Sequence, residues 1–124
     1  MTESTELLRQ VNPKFLHQGR PSSQVFKPTA KDDKKLSVYD GDLIAAEAAW
    51  QHFTNELGHS SVGVLAVTVG ECHSQELDVR PDPTPFPEHA IISFENCSNS
   101  QIEKKAKRLR NFALNRGWKY QITQ

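Results

Sequence analysis

Cysteine is scarce in this chain. Cys72 and Cys97 are the only two among 124 residues, too few for a disulfide framework, and such usage is ordinary in a reducing compartment. A long apolar run is missing as well. The longest, Val62 to Val69, is far shorter than the roughly 20 residues that a bilayer-spanning helix needs. The opening Met-Thr-Glu-Ser-Thr-Glu has no basic stretch leading into an apolar one, so no secretory signal is expected. Together these absences predict a cytoplasmic protein with no membrane partner. Cys72, His73, Cys97, His17 and His89 are potential zinc ligands, but no Cys-x-x-Cys, His-Glu-x-x-His or acidic calcium loop occurs, so no metal is expected. Gly63 and Gly70 stand alone. Without a glycine-rich loop there is no support for a nucleotide-binding βαβ unit, and no cofactor is expected. Internal repeats and low-complexity tracts are absent too.

What the chain does have is a charge division. Acid is nearly lacking in its last quarter: residues 100–124 carry Lys104, Lys105, Lys107, Arg108, Arg110, Arg116 and Lys119 against Glu103 alone. Residues 1–99 carry the other 8 bases and 14 acids. The net charge of zero is therefore a cancellation between two unlike surfaces, each suited to a different partner. The length is that of one domain covering residues 1–124, and it is enough for a single core without staples.

Periodicity predicts an α+β fold: a small mixed or antiparallel sheet with two main helices, at about 42–57 and 100–116, packed on it. Asp40-Gly41 reads as a turn, and Asp42 as the N-cap of the first helix. Ala46, Trp50, Phe53 and Leu57 form its apolar stripe, and Gly58 is positioned to end it in the left-handed conformation. Val62 to Val69 is apolar on both faces, so it predicts a covered, central strand. His89 to Glu95 alternates, with Ala90, Ile92 and Phe94 on a core face and His89, Ile91, Ser93 and Glu95 on the other, mostly polar one. Residues 22–27, 36–39 and 77–80 read as short strands, the last at an edge. Pro81, Pro83, Pro85 and Pro87 cannot donate ladder hydrogen bonds, so they form an extended surface connection. In the second helix Ser100 and Glu103 make a capping box, Ile102, Ala106, Leu109 and Ala113 the buried stripe, and Gly117 the end. Trp118, Tyr120 and Ile122 alternate with polar residues and add a tail strand.

Four segments carry a resemblance: Leu-Leu-Arg-Gln-Val-Asn-Pro (7–13), Ser-Ser-Gln-Val-Phe-Lys-Pro (22–28), Leu-Ser-Val (36–38) and Asp-Pro-Thr-Pro-Phe-Pro-Glu-His-Ala (82–90). Taken together they resemble a group of small bacterial proteins of unassigned function. The resemblance implies a bacterial, single-domain, stand-alone protein and transfers no activity.

Three constellations are candidate sites. His17, Arg20, Ser22 and Ser23 crowd around Gly19, where imidazole, guanidinium and hydroxyls suit a phosphate. His89 opens a strand after the proline tract, with Ser93 and Glu95 in the same row. Lys104, Lys105, Lys107, Arg108 and Arg110 occupy the helix faces left free by the apolar stripe, with Lys119 just beyond; such a surface suits a phosphate backbone or an acidic protein. Each has an ordinary structural reading: a turn, a strand-capping histidine, a solvated helix face. The leading expectation is a small binding or accessory protein that engages an anionic partner, nucleic acid or acidic protein, through Lys104, Lys105, Lys107, Arg108, Arg110 and Lys119. The alternative is an enzyme acting on RNA or a nucleotide, with His17, Arg20, Ser23 and His89 in one cleft as acid, base and charge-stabilising groups. A third reading is an obligate homodimer, the homo-oligomer formed through the terminal Trp118–Ile122 strand.

Overall fold

The computed structural model describes residues 1–122, with Ala30 described in its backbone only. Its centre is a six-stranded antiparallel sheet. In chain order the elements are β1 (Glu6–Gln10), a two-strand hairpin of β2 (Leu16–His17) and β3 (Arg20–Pro21), β4 (Lys35–Asp40), α1 (Ala46–Gln51), β5 (Gly63–Thr68), α2 (Val69–Ser74), β6 (Asp78–Pro81), β7 (His89–Ser93), α3 (Asn99–Arg116) and β8 (Tyr120–Gln121). The main sheet runs β6-β7-β4-β1-β5-β8. This is the α+β architecture expected, with helices packed on both faces of the sheet.

The larger core lies under α3. Ile102, Ala106, Leu109 and Ala113 recur at helical spacing and are all buried. They meet Leu7, Leu36, Leu65, Val67 and Ile92 of the sheet, with Val25, Phe26 and Cys72 closing the sides. The smaller core lies on the opposite face, where Ala49 and half-buried Trp50 and Phe53 of the α1 segment cover Leu8, Val64, Ala66 and Tyr39. β5 is thus buried from both sides. It stands one strand from the edge rather than in the middle, because only the short β8 lies beyond it. Gly63 permits that last pairing: a Cβ there would stand 2.5 Å from the Tyr120 carbonyl and 2.9 Å from the Trp118 ring.

Several local expectations are corrected. The first helix begins at Ala46, four residues after Asp42, because Asp42 has other work: its carboxylate accepts the Thr5 hydroxyl at 2.6 Å. After Gln51 the helix widens into a π turn, His52–Glu56, and Gly58 ends it at φ +72°. The widening moves Leu57 off the core stripe and leaves it 41% exposed. Residues 22–27 are not a strand; Ser23–Phe26 form a 3-10 turn that drives Val25 and Phe26 into the core. The α3 capping box is Ser98 with Gln101, not Ser100 with Glu103. The Gln101 amide oxygen accepts the Ser98 N–H at 2.7 Å, while Glu103 turns aside to pair with Lys27. The short α2 was not anticipated; Thr68 and Glu71 cap it reciprocally.

The sheet opens at one point. β1 and β4 pair through Leu7–Asp40 and Leu8–Tyr39 and no further. Beyond that, the Arg9 side chain enters the gap between the strands. Its Nε donates to the Val25 carbonyl at 2.7 Å and its Nη1 to the Ser37 carbonyl at 2.9 Å. A guanidinium thus replaces a rung of the ladder.

Candidate functional site

The outer face of α3 follows from its inner one. A helix that buries Ile102, Ala106, Leu109 and Ala113 must turn Lys104, Lys107 and Arg108 to solvent, and all three are exposed. Lys105 and Arg110 are half-buried on the two flanks. Among the described residues none of these five cations has a carboxylate within ion-pair distance. Arg108 contacts the neutral Gln75 amide at 3.0 Å, and Arg110 the Asn111 side chain at 3.1 Å. The two remaining cations of the last quarter are spent internally. Arg116 holds Glu71 through two nitrogens, at 2.9 and 3.0 Å, and Lys119 lies 3.1 Å from Glu6. Lys119 is therefore not part of the free cationic surface.

The β2–β3 hairpin joins that surface. Gln18 and Gly19 both have positive φ, 52° and 78°, the conformation that matches a two-residue hairpin turn to strand twist. The turn places His17 directly across from Arg20. Both then line a cleft of about 370 Å³ together with Gln18, Ser22, Arg110 and Asn111. Among the described residues no carboxylate lines this cleft. The hairpin constellation and the basic helix, far apart in sequence, are one surface.

Ser23 and His89 are not part of it. Ser23 opens the 3-10 turn behind the cleft, where the Ser22 hydroxyl accepts the Gln24 N–H at 3.3 Å. His89 is 8% exposed and belongs to the face covered by α1. Its Nδ1 lies 2.9 Å from the Asp82 carbonyl and its Nε2 3.0 Å from the Ser37 hydroxyl. The Phe86 ring packs edge-on at 5.2 Å. The sheet separates His89 from Arg20, so the single cleft of His17, Arg20, Ser23 and His89 does not form. Glu95 also leaves the expected row: it lies past the end of β7 and pairs with Arg80 and Lys35. Trp118 and Tyr120 are half-buried and packed against Gly63 and Trp50 respectively, so core packing occupies much of each ring. Among the described residues no three His, Cys, Asp or Glu side chains gather as metal ligands. None of their helices is long and apolar enough to cross a membrane.

The face covered by α1 holds a second concavity, which sequence reasoning did not find. It is a cavity of about 260 Å³ at the split between β1 and β4. Leu8, Tyr39, Phe53, Leu57, Pro85 and Phe86 form its apolar walls, and Arg9, Gln10, Ser37, His59 and His89 also line it. Burial, and secondarily the nearby Glu88 charge, push the Tyr39 phenol up to about 12. That keeps it protonated and bonded to His52 Nδ1 at 2.8 Å. Burial likewise pulls the Arg9 guanidinium down to about 10, against the opposing attraction of Asp32; it remains charged at neutral pH. No sequence signal pointed here: in Glu6-Leu7-Leu8-Arg9-Gln10 the arginine is one of three polar residues in β1. No family model, curated protein or solved structure matches this chain.

Proposed function

We propose that this is a non-catalytic binding or accessory protein that docks the phosphate backbone of a nucleic acid on the outer face of α3 and the adjoining hairpin. One observation carries the reading. Arg20, Lys104, Lys107, Arg108 and Arg110 stand on one side of the molecule and have no carboxylate partner among the described residues, although the rest of the chain has 14 acids to offer. Unneutralised cations at this density attract a polyanion and release its counterions on contact. Nucleic acid is favoured over an acidic protein by what the surface lacks. A protein partner needs apolar or aromatic anchors at the centre of its footprint. The exposed large hydrophobics among the described residues are Met1, Leu43 and Leu57, none of them on α3. Phosphate contacts need no such anchor. With Trp118 and Tyr120 half-buried and packed against the sheet and α1, the expected mode is backbone contact without base stacking, and hence little sequence preference.

The deciding experiment is a fluorescence titration of the protein with duplex DNA, duplex RNA and polyglutamate of matched charge. Binding to a duplex that weakens as salt rises, and that is tighter than binding to polyglutamate, supports the reading. Preference for polyglutamate transfers the surface to an acidic protein, and binding to none of the three ends it.

A further inference from the structure

We infer that the cavity between β1, β4 and Phe86 is a binding site for a small organic carboxylate with a ring-sized apolar body. The site is independent of the α3 face and lies on the other side of the sheet. Its walls are apolar and aromatic, contributed by Leu8, Tyr39, Phe53, Phe86 and Leu57. Its volume of about 260 Å³ falls just below the roughly 300–1,000 Å³ of sites for drug-sized ligands, so its occupant is small.

The polar groups in that wall set the charge of the occupant. Arg9 uses Nε and Nη1 on two backbone carbonyls. Among the described residues its Nη2 donates to no protein group, and no carboxylate comes within ion-pair distance of it. Asp32 attracts the guanidinium only from beyond ion-pair distance, so an anion at Nη2 would give it its closest counter-charge. Gln10 stands beside it at 6% exposure. Its Oε1 accepts the Ser61 hydroxyl at 2.7 Å, but its Nε2 is buried with no acceptor at all. A buried donor left unpaired in a folded protein asks for an explanation, and a ligand oxygen supplies one. The cavity thus offers donors from Arg9 and Gln10 and not one Asp or Glu. One fixed cation among apolar walls fits a single negative charge better than the doubly charged phosphate.

The wall opposite is built to face this space. The π turn at His52–Glu56 is a form of helix that recurs at functional sites. Here it carries Phe53 into the cavity and sets Leu57 at its rim, 41% exposed. An apolar side chain held at the mouth of a cavity gains contact only when something enters.

The probes are phenylacetate, its neutral counterpart 2-phenylethanol, and acetate, which has the head group alone. Each is titrated into the 15N-labelled full chain and followed by two-dimensional NMR. Phenylacetate is expected to shift the Gln10 side-chain amide and the backbone amides of Arg9, Ser37 and Phe86 saturably, with a dissociation constant of about 1 mM or tighter. The alcohol and acetate are each expected to bind at least about tenfold more weakly. Arg9→Gln removes two structural hydrogen bonds and risks the fold, so the variants are Gln10→Leu and Leu57→Asp. Gln10→Leu removes the free donor and should weaken phenylacetate at least about threefold while leaving the alcohol unchanged. Leu57→Asp, at an exposed position, sets a like charge at the mouth and should weaken the acid more than the alcohol. Equal affinity for acid and alcohol overturns the proposal. So do shifts confined to α3 and the hairpin. So does the lack of any saturable shift with phenylacetate, benzoate or hexanoate up to about 20 mM, well above the constants expected for ligands of this size.

Discussion

Replacing Lys104, Lys107 and Arg108 together by glutamine is expected to remove more than half of the salt sensitivity of nucleic-acid binding. Each phosphate neutralised contributes about −0.9 to the slope of log affinity against log salt on a duplex. The free surface holds five cations placed for such contacts: Arg20, Lys104, Lys107, Arg108 and Arg110. If all five engage, the slope is about −4.5, and raising salt from about 50 to about 200 mM weakens binding about 500-fold. The triple variant leaves two contacts, a slope of about −1.8 and a weakening of about 12-fold over the same range. The three side chains are exposed and pair with no acid among the described residues, so each should cost no more than about 0.5 kcal/mol of stability. Circular dichroism melts serve as that control. Lys119→Gln is the matched negative: Lys119 is already held by Glu6 at 3.1 Å, and its loss should barely move the slope. Fluorescence anisotropy with a labelled duplex at five salt concentrations reads all of this. A triple variant with the wild-type slope, or a Lys119 variant that loses as much as the triple, refutes the assignment of the surface.

Three further outcomes test the fold beneath the surface. Leu109 is fully buried between α3 and the sheet, so Leu109→Ala should cost about 3 kcal/mol and lower Tm by roughly 10–20 °C; a shift of a degree or two would mean that α3 is not docked there. Burial tends to raise the Glu71 carboxyl, but the Arg116 and Thr68 hydrogen bonds and the Arg116 charge outweigh it and hold the group below its ordinary value. A carboxyl depressed in the folded state stabilises above its unfolded pKa of about 4.3, and this contribution is lost as pH falls through the folded value. Glu71→Gln should therefore cost about 1–2 kcal/mol at neutral pH, and its thermal curve should converge on that of the parent in acid; a pH-independent gap contradicts the ion pair. Burial, with the Glu71 charge adding to it, pushes the Cys72 thiol up to about 12, so it should resist Ellman's reagent in the native protein at about pH 8 and react on unfolding. Rapid native reaction at Cys72, read by peptide mapping, would show the core open.

The parts of this molecule that could be read in advance are those whose cause is local. The stripe of Ile102, Ala106, Leu109 and Ala113 repeats within one continuous segment, so helical geometry alone makes it a buried face and makes Lys104, Lys107 and Arg108 the opposite one. The two-sided apolar run at β5 and the alternation at β7 are legible for the same reason. Ambiguity began where two local patterns competed. Ser98 with Gln101 and Ser100 with Glu103 both satisfy the capping spacing, and the choice falls to Lys27, distant in sequence, which takes Glu103 for itself. Residues 22–27 fit a strand until Val25 and Phe26 find the core under α3 and the turn tightens around them.

From composition and periodicity alone came an α+β chain with a cationic closing helix. Only the tertiary structure decided which cations stay free, since that depends on where Glu6 and Glu71 come to rest beside Arg116 and Lys119. It alone could also divide the histidines, sending His17 toward α3 and His89 to the far side of the sheet. The cavity had no sequence signature, because Arg9, Ser37 and Phe86 meet only when β1, β4 and the proline tract are brought together by strand pairing between residues far apart in the chain.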